Sequence, residues 1–261
     1  MKAVAIGGLL AVALAGSESA KAIDITLQND GLSSGTGWYG PHENNETEPG
    51  TQQGQRWDLE NIFLNGTSLT IRGGFDYANG VTVGSRTIHR GDILIDINGD
   101  AVHPWSSSAG ANNLNSTFHY DYAIHFNVTD TSNLKYQIVR LNDGSTFDVV
   151  TDIPGSNPWR ISDNSLNDGA SGLGTAGLTS YTDGEGMHWD LTVDLGVNGY
   201  TSLLNDMGSS QSGSFVHYSI ECGNDTIIGR VPDGGTTLIL LGLSFGLVAV
   251  AGRRMKTSPV C

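Results

Sequence analysis

Phe118 to Val128 alternates with a period of two. Phe118, Tyr120, Tyr122, Ile124, Phe126 and Val128 fall on one side, and His119, Asp121, Ala123, His125 and Asn127 on the other. Successive side chains of a strand point to opposite faces, so this is the pattern of a strand buried on one side. Trp189, Leu191, Val193 and Leu195 repeat it against His188, Asp190, Thr192 and Asp194. Val216, Tyr218, Ile220 and Cys222 do so again. Ile93, Ile95 and Ile97 flank Leu94, which predicts a strand covered on both faces. A helical period is nearly absent, with Ser202 to Met207 the best candidate, and under about a tenth of residues 23–230 should be helix. Asn142-Asp143-Gly144 stands between two apolar runs, Tyr136–Leu141 and Thr146–Val150, and reads as a hairpin turn. With 36 glycines, many of them between strands, the expected fold is all-β: an antiparallel β-sandwich or jelly-roll-like domain. Two polar stretches, Ser33 to Gln55 and Asn164 to Thr182, read as long loops.

Both ends of the chain carry a different signal. Lys2 precedes an apolar run from Ala3 to Ala15, and Ala20-Lys21-Ala22 offers small residues at the −3 and −1 positions. This is a signal peptide over residues 1–22, with Ala20 and Ala22 at the cleavage site. At the other end, Thr236 to Gly252 is 17 uncharged residues, followed by Arg253, Arg254 and Lys256. As a helix it would reach about 26 Å at ~1.5 Å per residue, the short end for a membrane span. The basic cluster puts its far end on the cytoplasmic side, with residues 255–261 as a cytoplasmic tail. Val231-Pro232-Asp233-Gly234-Gly235 stands just before it, where Pro232 and the glycine pair should stop any ordered element.

Residues 23–230 form the ectodomain. They hold eight basic and 25 acidic residues, a net charge of −17. Such a surface repels polyanions, so nucleic acid is excluded as a partner. Cys222 is the sole cysteine of this segment, so no disulfide framework supports it and a hydrophobic core must.

The order of a Val-Pro-Asp motif, a short apolar segment and an Arg pair at the chain end resembles the PEP-CTERM class of sorting tails. The motif residues are Val231, Pro232, Asp233, Gly234, Gly235, Arg253 and Arg254. The resemblance covers Val231 to Arg254. It implies export by the secretion route, removal of the leader by signal peptidase, and handling by an exosortase, a membrane cysteine protease. The precursor would be membrane-anchored and the mature ectodomain would lie at the cell surface or outside the cell. Four inner stretches, from Trp57 to Tyr77, Gly91 to Asp100, Ser156 to Arg160 and His217 to Gly229, are similar to other exosortase-dependent surface proteins and imply no activity.

Chemistry-bearing constellations are few. Asp92, Asp96, Asn98 and Asp100 offer the oxygens that Ca²⁺ takes, though a turn closing a strand explains them equally well. His119, Asp121 and His125 share a strand face. The two histidines would stand about 20 Å apart at ~3.4 Å per residue, too far to share a zinc ion. Gly172 to Gly177 has dinucleotide-loop spacing without a surrounding βαβ unit. No nucleophile motif is present. Trp38, Tyr39, Trp105 and Trp159 lie in loop-like contexts and could stack on sugar rings or plug the ends of a core. The expected function is a non-enzymatic cell-surface or extracellular-matrix protein of the biofilm-associated kind, with no cofactor. A lectin-like carbohydrate-binding module, meeting extracellular polysaccharide, is the alternative. A glycoside hydrolase, for which any acid-rich sandwich offers carboxylate pairs, stands third.

Overall fold

A computed structural model describes residues 22–27, 51–101, 113–128, 131–150, 156–163, 165–167, 169–210 and 213–231. The leader before Ala22, the segments holding Trp38, Tyr39 and Trp105, and everything after Val231 lie outside the described residues.

Strands take up 44% and helices, 3-10 turns included, 12% of the described residues, so helix lies a little above the expected tenth. The strands are β1 (Ile23–Asp24), β2 (Leu59–Asn65), β3 (Ser68–Gly73), β4 (Val81–Val83), β5 (Arg86–Ile88), β6 (Ile93–Asp96), β7 (Tyr122–Phe126), β8 (Lys135–Arg140), β9 (Phe147–Asp148), β10 (Arg160–Ile161), β11 (Leu173–Thr175), β12 (Gly177–Thr182), β13 (Met187–Asp194), β14 (Ser214–Ser219) and β15 (Thr226–Val231). Among the described residues two short α-helices, α1 (Asn115–Phe118) and α2 (Ser202–Ser209), and two 3-10 turns, Gln55–Trp57 and Val197–Gly199, join them. One sheet has the order β1-β2-β3-β13-β12, and a second has β11-β8-β7-β6-β14-β15. All pairings between these strands are antiparallel.

The two sheets share one apolar core. Ile62, Leu69, Ile71, Leu191 and Val193 enter it from the first sheet. Ile95, Ile124, Phe126, Ile138, Val216, Tyr218 and Ile227 enter it from the second. The alternation at 187–195 is therefore a faithful record of which side faces inward. A second, smaller cluster lies on the other face of the six-stranded sheet, where Leu94 and Ala123 meet Phe118, Tyr120, Phe147 and Ile161. That cover explains why β6 is buried on both faces, as its sequence predicts, and why β7 is too.

Three expectations are corrected. The eleven-residue strand from Phe118 is broken: α1 ends at Phe118 and His119 takes a left-handed conformation, φ 62°. Phe118 and Tyr120 thus turn to the smaller cluster, away from Tyr122 and Ile124. The turn at 142–145 forms, with Ser145 N–H donating to Asn142 O at 2.9 Å, but it closes no hairpin. β8 pairs with β7 and β11, whereas β9 leaves to pair with β10, because Phe147 packs edge-on against Phe118. Finally, the polar stretch 164–182 contains β11 and β12. Most β12 side chains are exposed on an edge strand, so no apolar alternation marks it. Gly174, inside the spurious dinucleotide pattern, packs where a Cβ would strike the Tyr136 ring at 2.5 Å.

Candidate functional site

The last strand among the described residues, β15, leads into the C-terminal stretch. β15 pairs with β14 from Ser214↔Val231 to Ser219↔Thr226. Val231 is therefore inside the sheet, one residue beyond the expected end of the ectodomain and inside the stretch expected to be unordered. The other edge of β15 is met by the first residues after the expected leader. Thr26 bridges Gly229, Leu27 N–H donates to Ile228 O at 2.8 Å, and Arg230 N–H donates to Ile25 O at 2.8 Å. Ile228, Gly229 and Arg230 thus sit beside residues 25–27.

Residues 230–255 match the VPDSG-CTERM motif. This is a variant of the PEP-CTERM-like exosortase sorting signal, and it implies export, surface or membrane association, and processing by an exosortase. No curated protein and no solved structure matches the chain. Among the described residues no helix is long and apolar enough to cross a membrane. The apolar part of the sorting motif, 236–252, and Pro232, Asp233, Gly234, Gly235, Arg253 and Arg254 lie outside the described residues, as do the leader's Ala20 and the tail 255–261.

The calcium candidates divide. Asp96 ends β6 as a turn-former: its Oδ1 accepts from Asn98 N–H and Gly99 N–H at 3.0 and 2.8 Å, and its Oδ2 from Ala101 N–H at 3.0 Å. Asn98 Oδ1 accepts from Asp100 N–H at 3.0 Å. Asp121, which the sequence placed with the histidines, joins this turn by accepting from Ile97 N–H at 2.7 Å. Burial pushes the Asp121 carboxyl up, and the neighbouring Asp96 and Asp100 add to this against the Ile97 hydrogen bond. Asp92 stands apart, four strand residues or about 13 Å from Asp96. It is buried under β10, accepting from Phe126 N–H at 3.0 Å and Ile161 N–H at 2.9 Å, with His125 Nδ1 2.9 Å away. His125 is buried while His119 is exposed, so the three residues of the zinc consideration do not meet.

Sequence reasoning missed the densest charged group. His188, on the solvent side of β13, lies between two carboxylates: Nδ1 is 2.7 Å from Glu60 Oε1, and Nε2 is 2.8 Å from Asp183 Oδ1. Gln55 Nε2 also donates to Glu60 at 2.5 Å. Burial alone would lower the His188 pKa, but the hydrogen bond to Asp183 and the charge of Glu60 outweigh it, and the net direction is up. The Tyr181 ring lies flat over the imidazole, centroids 4.7 Å apart and 9° from parallel. Arg72 extends the stack, its guanidinium 5.3 Å from Tyr181 and 4.8 Å from Phe63, while it binds Asp190 through two hydrogen bonds of 2.7 and 2.8 Å. Asp183, Glu185 and His188 offer ligand atoms within 4.8 Å of one another on the β12–β13 turn. The sequence showed Glu60 and His188 as 128 residues apart, and only the order β2-β3-β13 brings them together.

On the far side, a groove of about 380 Å³ is lined by Trp159, Phe147, Asp148 and Glu221 among others. Its two carboxylates are held by arginines. Arg160 Nε donates to Asp148 at 2.6 Å, and Arg86 Nη2 to Glu221 at 2.9 Å. Trp159 itself is buried, with the Arg160 guanidinium 4.7 Å from its ring. Cys222 is a free, half-buried thiol whose pKa burial pushes up, the reverse of a nucleophile's tuning.

Proposed function

We propose that this is a non-enzymatic cell-surface or extracellular-matrix protein whose jelly-roll-like sandwich is exported with a leader, held by its tail and sorted through the Val-Pro-Asp motif. The observation that carries the reading is the VPDSG-CTERM match beginning at the final strand of a folded domain. A motif in that place leaves four residues, 232–235, between Val231 and the apolar segment. At ~3.5 Å per extended residue the sheet edge would stand within about 14 Å of the membrane. The engagement of Glu60, Asp148, Asp183 and Glu221 with cationic or donor partners also supports a structural role for the acids. Replacing Pro232 and Asp233 together by Ala tests the sorting reading. The precursor should then remain in the membrane at full size, and a variant processed like the wild type refutes it.

Carbohydrate binding is the second reading, favoured by one feature. Tyr181 is 41% exposed on the open face of the five-stranded sheet, where its ring and Phe63 could stack on sugars. Glycan-array binding of the exported domain, with and without Ca²⁺, tests it. Binding that survives Tyr181→Ala rules out this face as the platform.

A further inference from the structure

The turn between β12 and β13 brings three ligand-bearing side chains together. Asp183 opens the turn, Glu185 stands two residues on, and His188 lies in β13 directly across from Tyr181. Their carboxylate oxygens and imidazole nitrogen all lie within 4.8 Å of one another. The turn is fixed by Asp183 N–H donating to Gly186 O at 3.0 Å and by Glu185 N–H donating to Asp183 Oδ1 at 2.8 Å. His188 is held from behind. Its Nδ1 meets Glu60 Oε1 on β2, the Tyr181 ring lies flat on the imidazole, and Nε2 points at Asp183. His188 and Glu60 are 2% and 4% exposed, whereas Asp183 and Glu185 face solvent. The group thus has one buried, fixed half and one open half.

Glu60 separates this group from an ordinary acidic turn. An imidazole that binds a metal through one nitrogen characteristically donates its other N–H to a carboxylate or carbonyl, which fixes the tautomer and the ring plane. Glu60 stands at that place, brought in from 128 residues away. Charge points the same way. Glu60 and Asp183 set two negative charges on one ring, and a proton gives that ring only one positive charge. A divalent ion on Nε2 brings two. Arg72 is engaged elsewhere, by both oxygens of Asp190. We propose that Asp183, Glu185 and His188 Nε2 bind a divalent transition-metal ion of the zinc type, with Glu60 as the positioning residue behind the imidazole and water in the remaining place. One nitrogen and two carboxylates suit such an ion, while Ca²⁺ takes oxygen ligands. Bonds of about 2.0–2.2 Å put the ligand atoms of a tetrahedral site about 3.4 Å apart. The 2.8 Å contact between Nε2 and Asp183 Oδ1 therefore opens by about half an ångström as the metal replaces the proton, which leaves to solvent, and Glu185 closes in. Only the turn has to move. The bound ion staples the exposed edge hairpin to β2 through His188 and Glu60.

The test uses the full-length chain without a histidine tag, purified in detergent, stripped with chelator and titrated with Zn²⁺ alone. Wild type should bind one ion saturably, melt at a higher temperature in Zn²⁺ than in chelator, and shift the His188 Nε2 resonance in NMR spectra. His188→Gln should remove that site. Glu185→Gln, a change in an exposed turn that spares the core, should remove it too. Glu60→Gln keeps all three ligands, and should weaken zinc binding about 10–100-fold and alter the His188 ring resonances of the bound form. Asp96→Ala, in an acidic turn of the other sheet, should bind as wild type does. A wild type without saturable binding overturns the proposal and leaves the group as a hydrogen-bonded ion pair. So does zinc affinity that neither His188→Gln nor Glu185→Gln changes. Unchanged affinity in Glu60→Gln overturns the role given to Glu60. None of these variants touches residues 231–261, so failure here leaves the sorting reading standing.

Discussion

Glu60 and His188 are in direct contact, Oε1 to Nδ1 at 2.7 Å, both almost wholly buried, with the His188 ring stacked under Tyr181. The contact ties the edge of the β12–β13 hairpin to β2, two strands away.

The pH dependence follows from the direction of the shift. The His188 pKa is raised in the folded state, so its contribution is fully present below the unfolded value of about 6.5 and is lost as pH rises through the folded value. Asp183 is shifted down, first by its hydrogen bond from Glu185 N–H and then by His188, so its contribution fades as pH falls through the folded carboxylate value. Wild type should lose thermal stability on going from pH 6 to 9, and His188→Gln should flatten that limb. A variant with the same alkaline slope as wild type contradicts the assignment.

His217 acts in the opposite sense. It is buried between Tyr120 Oη and Thr226 Oγ1, each 2.8 Å from a ring nitrogen, and burial lowers its pKa to about 3. The unfolded chain takes up that proton near pH 6.5 and the folded chain does not, so stability falls from pH 6.5 towards 3. His217→Asn should make the acid limb shallower while lowering stability at pH 7. Denaturant melts at pH 4.5 and 7 measure both.

The stack on the first sheet makes Arg72 more than a surface charge. Arg72→Lys keeps the charge but loses the two-pronged bond to Asp190 and the planar contact with Tyr181. The expected loss is about 1 kcal/mol by urea denaturation, since the side chains are only partly buried. Deleting a core side chain is a larger effect: Leu191→Ala, from a position with no exposure, should lose about 2–5 kcal/mol. Equal losses from the two would mean that the sheet face is far more tightly organised than the contacts indicate.

Asp96 is expected to behave as the end of a strand. Its oxygens already accept three backbone N–H groups, so Asp96→Ala should lower the melting temperature by the same amount in Ca²⁺ and in chelator. A melting temperature that rises with Ca²⁺ in wild type alone would restore the cation reading for Asp96, Asn98 and Asp100, with Asp121 as the added carboxylate.

The sequence was most legible where one face of a strand is wet. Leu191 and Val193 alternate with Asp190 and Thr192, and the structure keeps that division. It was misleading at Phe118 and Tyr120, whose spacing continues the β7 pattern although His119 breaks the chain's course. Period alone cannot see a left-handed residue. β12 was invisible because an edge strand exposed to water needs no apolar side chains. The His188 group was illegible for another reason. Its members come from residues 55–60 and 183–188, and no local rule joins them. The sorting motif was readable from its residue order alone, because a tail read by a membrane enzyme depends on sequence rather than on tertiary contacts.

The bonds from Ile25 and Leu27 to Arg230 and Ile228 also make the described domain nearly circular in topology. Its two ends emerge side by side, so a linker of a few residues could join them, and the chain could be opened elsewhere. The turn between β4 and β5 at Gly84-Ser85 is exposed and suits such an opening. A permutant starting at Ser85 would keep every strand pairing of both sheets and would offer new termini at the β4–β5 turn for a fluorophore or surface immobilisation.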